Sequence, residues 1–344
     1  MAGKPRVIVD PHFRAMGEIF TAEDRARLDG LASVVWGADT AMPDDAFAAA
    51  VPEAEAVICA DWRYGAENLK RAKNLRAILT VSGGFPRRLD FDECFRRGIR
   101  VLSAAPAFAR SVAEMALALA LAAARDIVSG DRAFRAGKEG WLAVGNRNAF
   151  NLYDKPVGMI GYGGIAQALQ PLLAPFGVSI RAYDPWLGDG YLRSRGVTAA
   201  SLDDVLAQSR IIFVLAAPSA DNQALLSREK LALIKPDAVL VLVSRAHVVD
   251  FDALTEMTAA GRFRAGIDVF PSEPMDPDHP IRQSESAILS AHKAGGTIEG
   301  CLDIGRYLVD DLEAILAGLP PRRMLNAEPE LIGRYVTNTI KQKG

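Results

Sequence analysis

A glycine-rich turn between a predicted strand and a predicted helix constrains the fold of this chain more than any other feature. The strand runs from Val157 to Ile160, and the turn after it has the sequence Gly161-Tyr162-Gly163-Gly164-Ile165-Ala166. In a G-x-G-x-x-A turn the first glycine permits the tight turn, the second lets a pyrophosphate approach the backbone, and the last residue lets the helix pack on the strand. The phosphates would lie on the free N–H groups at the start of the helix. The turn therefore predicts a dinucleotide site, with an ordinary glycine turn as the alternative.

An aspartate at the end of the next predicted strand supports the same interpretation. Asp184 follows Ala166 by eighteen residues, a position from which a carboxylate can accept hydrogen bonds from the adenosine ribose. The 2′-phosphate of NADP would bring like charges together there, and the following Pro185-Trp186-Leu187 offers no cation to neutralise them. We therefore expect the cofactor to be NAD rather than NADP.

Short apolar stretches of strand character alternate with helical stretches along most of the chain. This alternation predicts an α/β protein with parallel sheets, and 344 residues are enough for two domains. A capping-box sequence, Ser111 to Glu114, opens a helix whose apolar run from Met115 to Ala124 should be buried on all sides. The residues from Pro320 onward are expected to form an extended tail.

Composition excludes several other classes of protein. The 40 Lys and Arg against 42 Asp and Glu give a net charge of −2, so the chain lacks the basic surface that nucleic acid or an anionic membrane requires. Its longest unbroken apolar run is about half the length of a membrane-spanning helix. The three cysteines are far apart and form no metal-binding or disulfide pattern. We expect a cytoplasmic protein without a bound metal.

Several motifs downstream occur in a specific order. They are Ala113-Glu114 ahead of the apolar helix, Ser244-Arg245 with Val249-Asp250, the segment Gly266 to Pro274 with the sequence GIDVFPSEP, and Ser290-Ala291-His292. Together with the glycine turn, these motifs resemble those of the D-isomer-specific 2-hydroxyacid dehydrogenases, the family that includes phosphoglycerate dehydrogenase and glyoxylate/hydroxypyruvate reductase. The resemblance covers roughly residues 75–320, and the part before it matches only in its alternation of strands and helices.

The resemblance implies two Rossmann-like or flavodoxin-like domains with parallel sheets. Residues 1–103 and 295–344 would form the substrate-binding domain, and residues 104–294 would form an NAD-binding Rossmann domain inserted into it. The cleft between the domains would hold the substrate, a small 2-keto or 2-hydroxy acid. The family also implies a homodimer that pairs through the helical region near residues 112–124.

The resemblance assigns the chemistry to three residues. His292 would be the acid/base, Glu273 its partner, and Arg245 the group that binds the substrate carboxylate and carbonyl. These side chains suit those roles, because imidazole transfers protons near neutral pH, a carboxylate favours the imidazolium, and a guanidinium presents paired donors. Each of the three follows a predicted strand, at the edge where open α/β sheets bind ligands. We expect hydride transfer between the nicotinamide and the acid.

Further residues are assigned to the cofactor or the substrate by the same resemblance. Around NAD it implies contacts from Gly161, Gly163, Gly164, Ile165, Asp184, Ala217, Pro218, Val243, Ser244, Arg245, Asp268, His292, Ala294 and Gly295. Around the substrate it implies contacts from Ser82, Gly83, Gly84, Arg245 and Trp62, with the backbone amides of Gly83 and Gly84 on the carboxylate. His247 and the segment Asp61 to Tyr64 are open candidates for lining the pocket.

The chain departs from the family pattern at several positions. Ala246 replaces the glycine that usually follows the arginine, and Ala291 replaces the proline that usually precedes the histidine. The segment Thr80 to Arg88 replaces a Gly-x-Gly-x-Asp-Asn sequence, which indicates a reshaped substrate pocket.

Two other functions remain as alternatives. One is an NAD(H)-sensing, corepressor-like binding protein with the same fold, because a fold does not by itself fix a function. The other is phosphoglycerate dehydrogenase proper without a regulatory domain, since the stretch after Pro320 is too short for one.

Overall fold

The computed structural model describes residues 3–146 and 148–334. These residues fold as two compact units: unit 1 comprises the residues up to 109 and from 296 onward, and unit 2 comprises residues 110–295. Unit 2 is therefore an insertion into unit 1. The boundaries between the units lie at 109/110 and 295/296, compared with the predicted domain boundaries at 103/104 and 294/295. Residues 335–344 of the predicted substrate-binding domain lie outside the described residues.

Both units alternate strands with helices. The strands are β1 (Arg6–Asp10), β2 (Ser33–Trp36), β3 (Ala56–Cys59), β4 (Ala77–Thr80), β5 (Arg100–Ser103), β6 (Pro156–Ile160), β7 (Ser179–Tyr183), β8 (Thr198–Ala199), β9 (Ile211–Val214), β10 (Val239–Leu242), β11 (Arg264–Ile267), β12 (Ala287–Leu289) and β13 (Leu325–Asn326). The helices are α1 (Met16–Ile19), α2 (Ala22–Leu31), α3 (Asp44–Ala50), α4 (Gly65–Arg71), α5 (Phe91–Arg96), α6 (Ala105–Ala124), α7 (Ile127–Arg135), α8 (Gly164–Leu173), α9 (Asp189–Ser194), α10 (Leu202–Gln208), α11 (Arg228–Leu231), α12 (Phe251–Ala259), α13 (Ile298–Leu316) and α14 (Pro329–Arg334).

The sheet of unit 1 has the strand order β13-β5-β4-β3-β1-β2. Strands β1 to β5 are parallel and follow the flavodoxin-like order, whereas β13 is antiparallel to β5. Neighbouring residues of β3 are buried on opposite faces: Val57 packs in one cluster with Phe47 of α3, and Ile58 packs in another with Leu308 of α13. Burial on both faces is the reason these strands have continuous apolar runs.

The sheet of unit 2 has the order β12-β11-β10-β9-β6-β7-β8, and all its strands are parallel. Its first strand, β6, lies between β7 and β9, so the strand order reverses there. Open α/β sheets bind ligands at the carboxyl ends of the strands beside such a reversal. The predicted fold class is confirmed, with β13 as the exception to the parallel sheets.

Within one chain, helix α6 is buried over only part of its surface. Its apolar run is not buried on all sides within this chain, because Ala118 is exposed and Met115 and Leu121 are half-buried. The buried face carries Leu119, whose side chain lies 2.8 Å from the point where a Cβ on Gly266 of β11 would be. By length and composition α6 could cross a membrane, as many core helices of soluble proteins could, and 44% of its most apolar window is buried.

The segment after Pro320 is not an extended tail. It contributes β13 to the sheet of unit 1 and then forms α14. Asp311 of α13 is 1% exposed, and its carboxylate accepts hydrogen bonds of 2.7–3.1 Å from the backbone N–H groups of Arg322, Arg323 and Met324. Local sequence did not reveal this turn, because its hydrogen-bond acceptor belongs to the preceding helix.

The close packing of α13 on α1 gives a test of the structure of unit 1. A Cβ at Gly305 would lie 1.9 Å from the carbonyl oxygen of Ile19, whereas a Cβ at Gly17 of α1 would meet nothing within 4 Å. We expect Gly305→Ala to lower the free energy of unfolding by about 1–3 kcal/mol, because the backbone must move to accept the methyl group. Gly17→Ala is the matched control and should leave it unchanged or slightly raised. Urea denaturation measures both, and equal midpoints would contradict this packing.

Candidate active site

Gly161 lies directly after β6, with a φ of +88°. A Cβ at this position would lie 2.7 Å from both the backbone nitrogen and the Cα of Ala216, which follows β9. The left-handed backbone favours glycine, and the neighbouring chain leaves no room for a side chain. The first glycine of the turn is thus required by both conformation and packing.

The second and third glycines of the turn face open space. Gly163 is the N-cap of α8, and added Cβ atoms at Gly163 and Gly164 would meet nothing within 4 Å. Ile165 is half-buried, and Ala166 is fully buried, as close packing of helix and strand requires. The first N–H groups of α8 therefore open onto a surface that a pyrophosphate can approach.

Asp184 lies beside this turn. One carboxylate oxygen accepts a hydrogen bond from the N–H of Tyr162 at 2.8 Å, and the other accepts one from the N–H of Trp186 at 3.0 Å. These bonds fix the carboxylate next to the glycine turn while leaving it half-buried. A carboxylate oxygen has two lone pairs, so both oxygens retain capacity for ribose hydroxyls.

The loop after β9 contains Ala217 and Pro218, which are both half-buried. Asn222 holds this loop, since its side-chain Nδ2 donates to the carbonyl of Ala217 and its Oδ1 accepts from the N–H of Ser219, both at 2.7 Å. His247 lies against the same loop, with Nε2 3.2 Å from the carbonyl oxygen of Ser219. The structure thus gives His247 a role in fixing the loop. The contacts that Asn222 and His247 make with this loop were not predicted, because no sequence motif links these residues to the loop.

The residues after β10 reach the same edge of the sheet. Val243 and Ser244 are 3% and 5% exposed, and the Ser244 hydroxyl has no hydrogen-bond partner among the described residues. Arg245 is half-buried and donates from Nη1 to the carbonyl of Ser244 at 2.7 Å. Ala246 begins a short 3-10 helix and has no positive φ, which explains why alanine suffices where the family usually has glycine.

Glu273 and His292 form a hydrogen-bonded pair. Oε2 of Glu273 lies 2.5 Å from Nδ1 of His292, and Oε1 accepts a hydrogen bond from the N–H of Phe270 at 3.1 Å. His292 has a φ of +50°, and its side chain is 40% exposed. Its Nε2 has no hydrogen bond to any described residue. The carboxylate therefore orients the ring and leaves the second nitrogen available for a reacting group.

Asp268, directly after β11, holds the backbone that carries His292. It is 0% exposed, and its two carboxylate oxygens accept hydrogen bonds from the N–H groups of Lys293 at 2.9 Å and Ala294 at 3.0 Å. The carbonyl of Asp268 also accepts a hydrogen bond from the N–H of His292 at 2.8 Å. Ala294 is 2% exposed and Gly295 half-buried. The structure thus shows Asp268 positioning the histidine loop, while the cofactor contacts of Asp268, Ala294 and Gly295 stay predictions.

The strand ends of unit 2 therefore collect the predicted groups at one edge of the sheet. The glycine turn follows β6, Arg245 follows β10, Glu273 follows β11 and His292 follows β12. This edge offers a cation, a proton donor with its partner carboxylate, and free helix N–H groups. Among residues 3–146 and 148–334, no group of three His, Cys, Asp or Glu side chains is placed to hold a metal ion.

The structure places Trp62 in the core of unit 1, which corrects its predicted contact with the substrate. Its side chain is 0% exposed, stands edge-on to Phe47, and donates from Nε1 to the carbonyl of Gly65. Tyr64 is also buried and donates its phenol to Asp10, and burial together with that carboxylate raises the pKa of Tyr64. These aromatic rings pack the end of β3, so the predicted contact of Trp62 with the substrate is wrong.

The loop after β4 contains the predicted substrate residues Ser82, Gly83 and Gly84. The carbonyl of Ser82 accepts hydrogen bonds from the N–H of Ala104 and from the hydroxyls of Thr80 and Ser103. The carbonyl of Gly84 accepts hydrogen bonds from the hydroxyls of Thr80 and Ser82. Since N–H and C=O point in opposite directions across a trans peptide, the Gly83 N–H faces away from these donors.

The backbone amides of Gly83 and Gly84 have no hydrogen-bond acceptor within the described parts of the chain. A Cβ at Gly84 would meet nothing within 4 Å, and one at Gly83 would lie 3.5 Å from the ring of Phe108. Thr80 and Ser103 are both 0% exposed, so their hydroxyls serve this loop rather than solvent. Sequence reasoning did not find these two residues, although a polar residue at the end of an apolar strand is the signal that marks them.

Residues 117–294 match the family model described as the NAD binding domain of D-isomer specific 2-hydroxyacid dehydrogenases. The chain belongs to this family. The match covers the glycine turn, Asp184, Arg245, Glu273 and His292. The predicted resemblance is confirmed, and NAD(H) is the cofactor that this domain binds in the family.

Named relatives extend the match to the rest of the chain. A phosphoglycerate oxidoreductase from Rhizobium etli has a solved structure with a TM-score of 0.84 and 35% identity, covering 96% of this chain and 100% of that one. A glyoxylate reductase from Thermofilum pendens is 31% identical over 77% of this chain and 79% of its own length. A D-3-phosphoglycerate dehydrogenase from Mycobacterium tuberculosis is 33% identical over 80% of this chain. The chain spans about half the length of this and the similar D-3-phosphoglycerate dehydrogenases, 51–57%.

The geometry of unit 2 fits an NAD(H) molecule. Gly163 and Gly164 leave a backbone surface without side chains, and the N-terminus of α8 faces it. The fixed carboxylate of Asp184 stands where a ribose diol would lie. Arg181 of β7 donates to the side chain of Gln208, and no Lys, Arg or His among the described residues forms an ion pair with Asp184.

The position of Asp184 predicts the choice between the two nicotinamide cofactors. We expect NADH to exceed NADPH by about a hundredfold or more in kcat/KM, because a 2′-phosphate would meet an unneutralised carboxylate. Asp184→Ser should erode this preference, chiefly by weakening NADH. Steady-state kinetics with both cofactors measures the ratio, and Asp189→Ser, an exposed carboxylate on α9, is the matched control. Equal use of NADPH by the unaltered protein would show that Asp184 is not at the ribose.

Proposed function

We propose that this chain is an NAD-dependent oxidoreductase that transfers a hydride between the nicotinamide and a 2-keto or 2-hydroxy acid. The observation that carries the proposal is the 2.5 Å contact between Glu273 Oε2 and His292 Nδ1 at the strand ends of unit 2. It leaves Nε2 of His292 free to exchange a proton with a substrate oxygen. The named relatives, a phosphoglycerate oxidoreductase and glyoxylate reductases among them, support the same class of reaction.

The proton and the hydride come from different groups. NAD(H), when bound, supplies or accepts the hydride. His292 holds the proton at Nε2 that the carbonyl oxygen of a keto acid takes up during reduction. Its Nδ1–H stays hydrogen-bonded to the carboxylate of Glu273 throughout, so the ring keeps one orientation and one tautomer after the proton leaves Nε2. The carboxylate also stabilises the positive charge of the doubly protonated ring.

Arg245 provides the charge that the substrate requires. Its Nη1 is held by the carbonyl of Ser244, and its Nε and Nη2 have no partner among the described residues. A guanidinium with two free donor groups can bind a carboxylate or polarise a ketone oxygen, at a charge that does not depend on pH. In unit 1, the N–H groups of Gly83 and Gly84, which have no acceptor among the described residues, are suited to a carboxylate as well.

The alternatives carry less support. The relatives named in the comparisons are oxidoreductases, so they do not favour an NAD(H)-sensing, corepressor-like protein. Phosphoglycerate dehydrogenase activity is one member of the proposed reaction class.

The decisive experiment is NADH oxidation, followed at 340 nm, with a panel of glyoxylate, hydroxypyruvate, phosphohydroxypyruvate and larger 2-keto acids. Tight NADH binding with no turnover on any of them would contradict the proposal.

Substitution at His292 tests the assignment of the acid. His292→Asn should lower kcat for keto-acid reduction by about 10²–10⁴-fold, the usual contribution of a general acid. The affinity for NADH should change little, because the ring is not needed to hold the pyrophosphate or the ribose. Fluorescence titration with NADH provides that measurement. His279→Asn, which alters a loop histidine that caps a short helix, is the matched control and should keep full activity.

We infer that the working form is a homodimer located in the cytoplasm, with no nucleic-acid or membrane partner. Six of the fourteen large hydrophobic side chains exposed among the described residues fall in one short stretch of unit 2: Ile127, Phe134, Trp141, Leu142, Val144 and Tyr153. A second copy would cover such a surface. Arg110 and Glu114 within α6 support the absence of a membrane partner, because charges inside a spanning helix are costly.

The exposed apolar stretch predicts a loss of dimers when charge is placed on it. We expect the protein to elute from size exclusion as a dimer, and Phe134→Glu with Trp141→Glu to elute as a monomer, because burying a carboxylate at an interface is unfavourable. Phe13→Glu, an equally exposed phenylalanine in unit 1, is the control and should leave the dimer intact. An unaltered protein that elutes as a monomer at micromolar concentration would refute the inference.

A further inference from the structure

Arg14 lies against the loop of unit 1 that contains the backbone amides of Gly83 and Gly84, which have no acceptor among the described residues. It follows β1, and its Nε donates a hydrogen bond of 3.2 Å to the carbonyl of Val81, the residue directly before Ser82. Its side chain is only 14% exposed. No motif marked this arginine, and the family resemblance assigned no role to it.

The guanidinium of Arg14 is fixed on several sides. Its Cζ lies 5.2 Å from the ring centre of Phe13 and 5.8 Å from that of Phe108, the ring that also approaches Gly83. Its Nη1 donates to Glu18 and lies 3.4 Å from Sγ of Cys301. Cation–π contacts and a hydrogen bond to the loop hold the charge in one place, which lowers the entropy lost when an anion binds nearby.

The positive charge of Arg14 is not fully compensated. Glu18, its ion-pair partner, is 42% exposed, so solvent screens that carboxylate. Nη2 of Arg14 has no hydrogen-bond partner among the described residues. By contrast, Arg63 at the end of β3 is bound to Asp10 and Asp44, which leaves little of its charge for a ligand.

We propose that Arg14 is a positioning residue of the substrate carboxylate site, acting through the loop Val81–Gly84. This inference rests on the proposed function and adds a residue to it. By holding the carbonyl of Val81, Arg14 fixes the Val81–Ser82 peptide, which directly precedes the Gly83 and Gly84 amides. By its charge, it raises the potential at these amides and favours a carboxylate there. The loop of this chain lacks the Asp-Asn sequence usual in the family, and the arginine supplies a fixed charge beside it.

Binding of oxalate tests this role without depending on turnover. Oxalate is a non-reacting dicarboxylate of the size of glyoxylate, and calorimetry on the NADH-bound protein measures its affinity. We expect Arg14→Met to weaken oxalate by about tenfold or more, as the loss of one charge-assisted contribution implies. Arg14→Lys keeps the charge but not the forked geometry, so its oxalate affinity should lie between that of the unaltered protein and that of Arg14→Met. Arg25→Met, which also removes an i,i+4 ion pair in unit 1, is the matched control and should bind oxalate normally.

The variant Glu18→Gln separates charge from structure. Removing this carboxylate leaves Arg14 less neutralised, so oxalate binding should tighten by about two- to threefold. A purely structural role for the Arg14–Glu18 pair predicts weaker or equal oxalate binding instead.

Steady-state kinetics with glyoxylate gives a second test of Arg14→Met. This variant should raise KM and leave kcat and the NADH affinity within a factor of about three, since Arg14 acts on ground-state binding.

The possible failures of the two proposals are distinguishable. Absence of turnover with every acid of the panel would overturn the proposed oxidoreductase and leave the oxalate measurement intact. Failure of the unaltered, NADH-bound protein to bind oxalate, or equal oxalate affinity in Arg14→Met, would overturn the role of Arg14. A thermal melt of each variant shows whether unit 1 has folded. If Arg14→Met does not fold, the oxalate affinity of Arg14→Lys tests the proposal in its place.

Discussion

A buried carboxylate between two strand ends fixes the geometry on which the acid/base pair depends. Asp268 lies after β11 with no exposed surface, and both its oxygens are occupied by backbone N–H groups that follow His292. Burying a charge is costly unless it is hydrogen-bonded on all sides, so these bonds must form together. They hold His292 in a left-handed conformation that few residues adopt. The position of the ring relative to Glu273 follows from that constraint.

Buried side chains also fix loops by hydrogen bonds at other strand ends of the two sheets. In unit 1 the buried hydroxyls of Thr80 and Ser103 bind loop carbonyls, and in unit 2 the side chain of Asn222 binds the loop after β9. Each loop is thereby fixed by side chains behind it. In unit 1, this directs the amide of Gly83 away from the hydroxyls of Thr80 and Ser103. An anion-binding loop that is already ordered loses little entropy when its ligand arrives.

Several features were beyond prediction from the sequence because they depend on residues distant in the chain. The turn after Pro320 is organised by Asp311, and the environment of α6 depends on how much of its surface one chain can cover. Trp62 sits among charged residues in the sequence, yet its ring is enclosed by Phe47 and Tyr64. Arg14 carried no motif, and its bond to Val81 and its contact with the ring of Phe108 relate it to the predicted substrate loop only in the folded structure.

The sequence by itself determined the fold class, the NAD-binding turn and the order of the family motifs. It could do so because a glycine with positive φ, alternating buried strands, and functional residues at strand ends are local or periodic features. The tertiary structure decided which side chains meet. The approach of Glu273 to His292 and the enclosure of Asp268 join the ends of β11 and β12, which are neighbours only in the folded sheet. The placement of Arg14 beside Val81 joins the ends of β1 and β4, which lie on either side of β3. Spacing along the chain does not encode such distances, because they are set by the register and packing of whole strands.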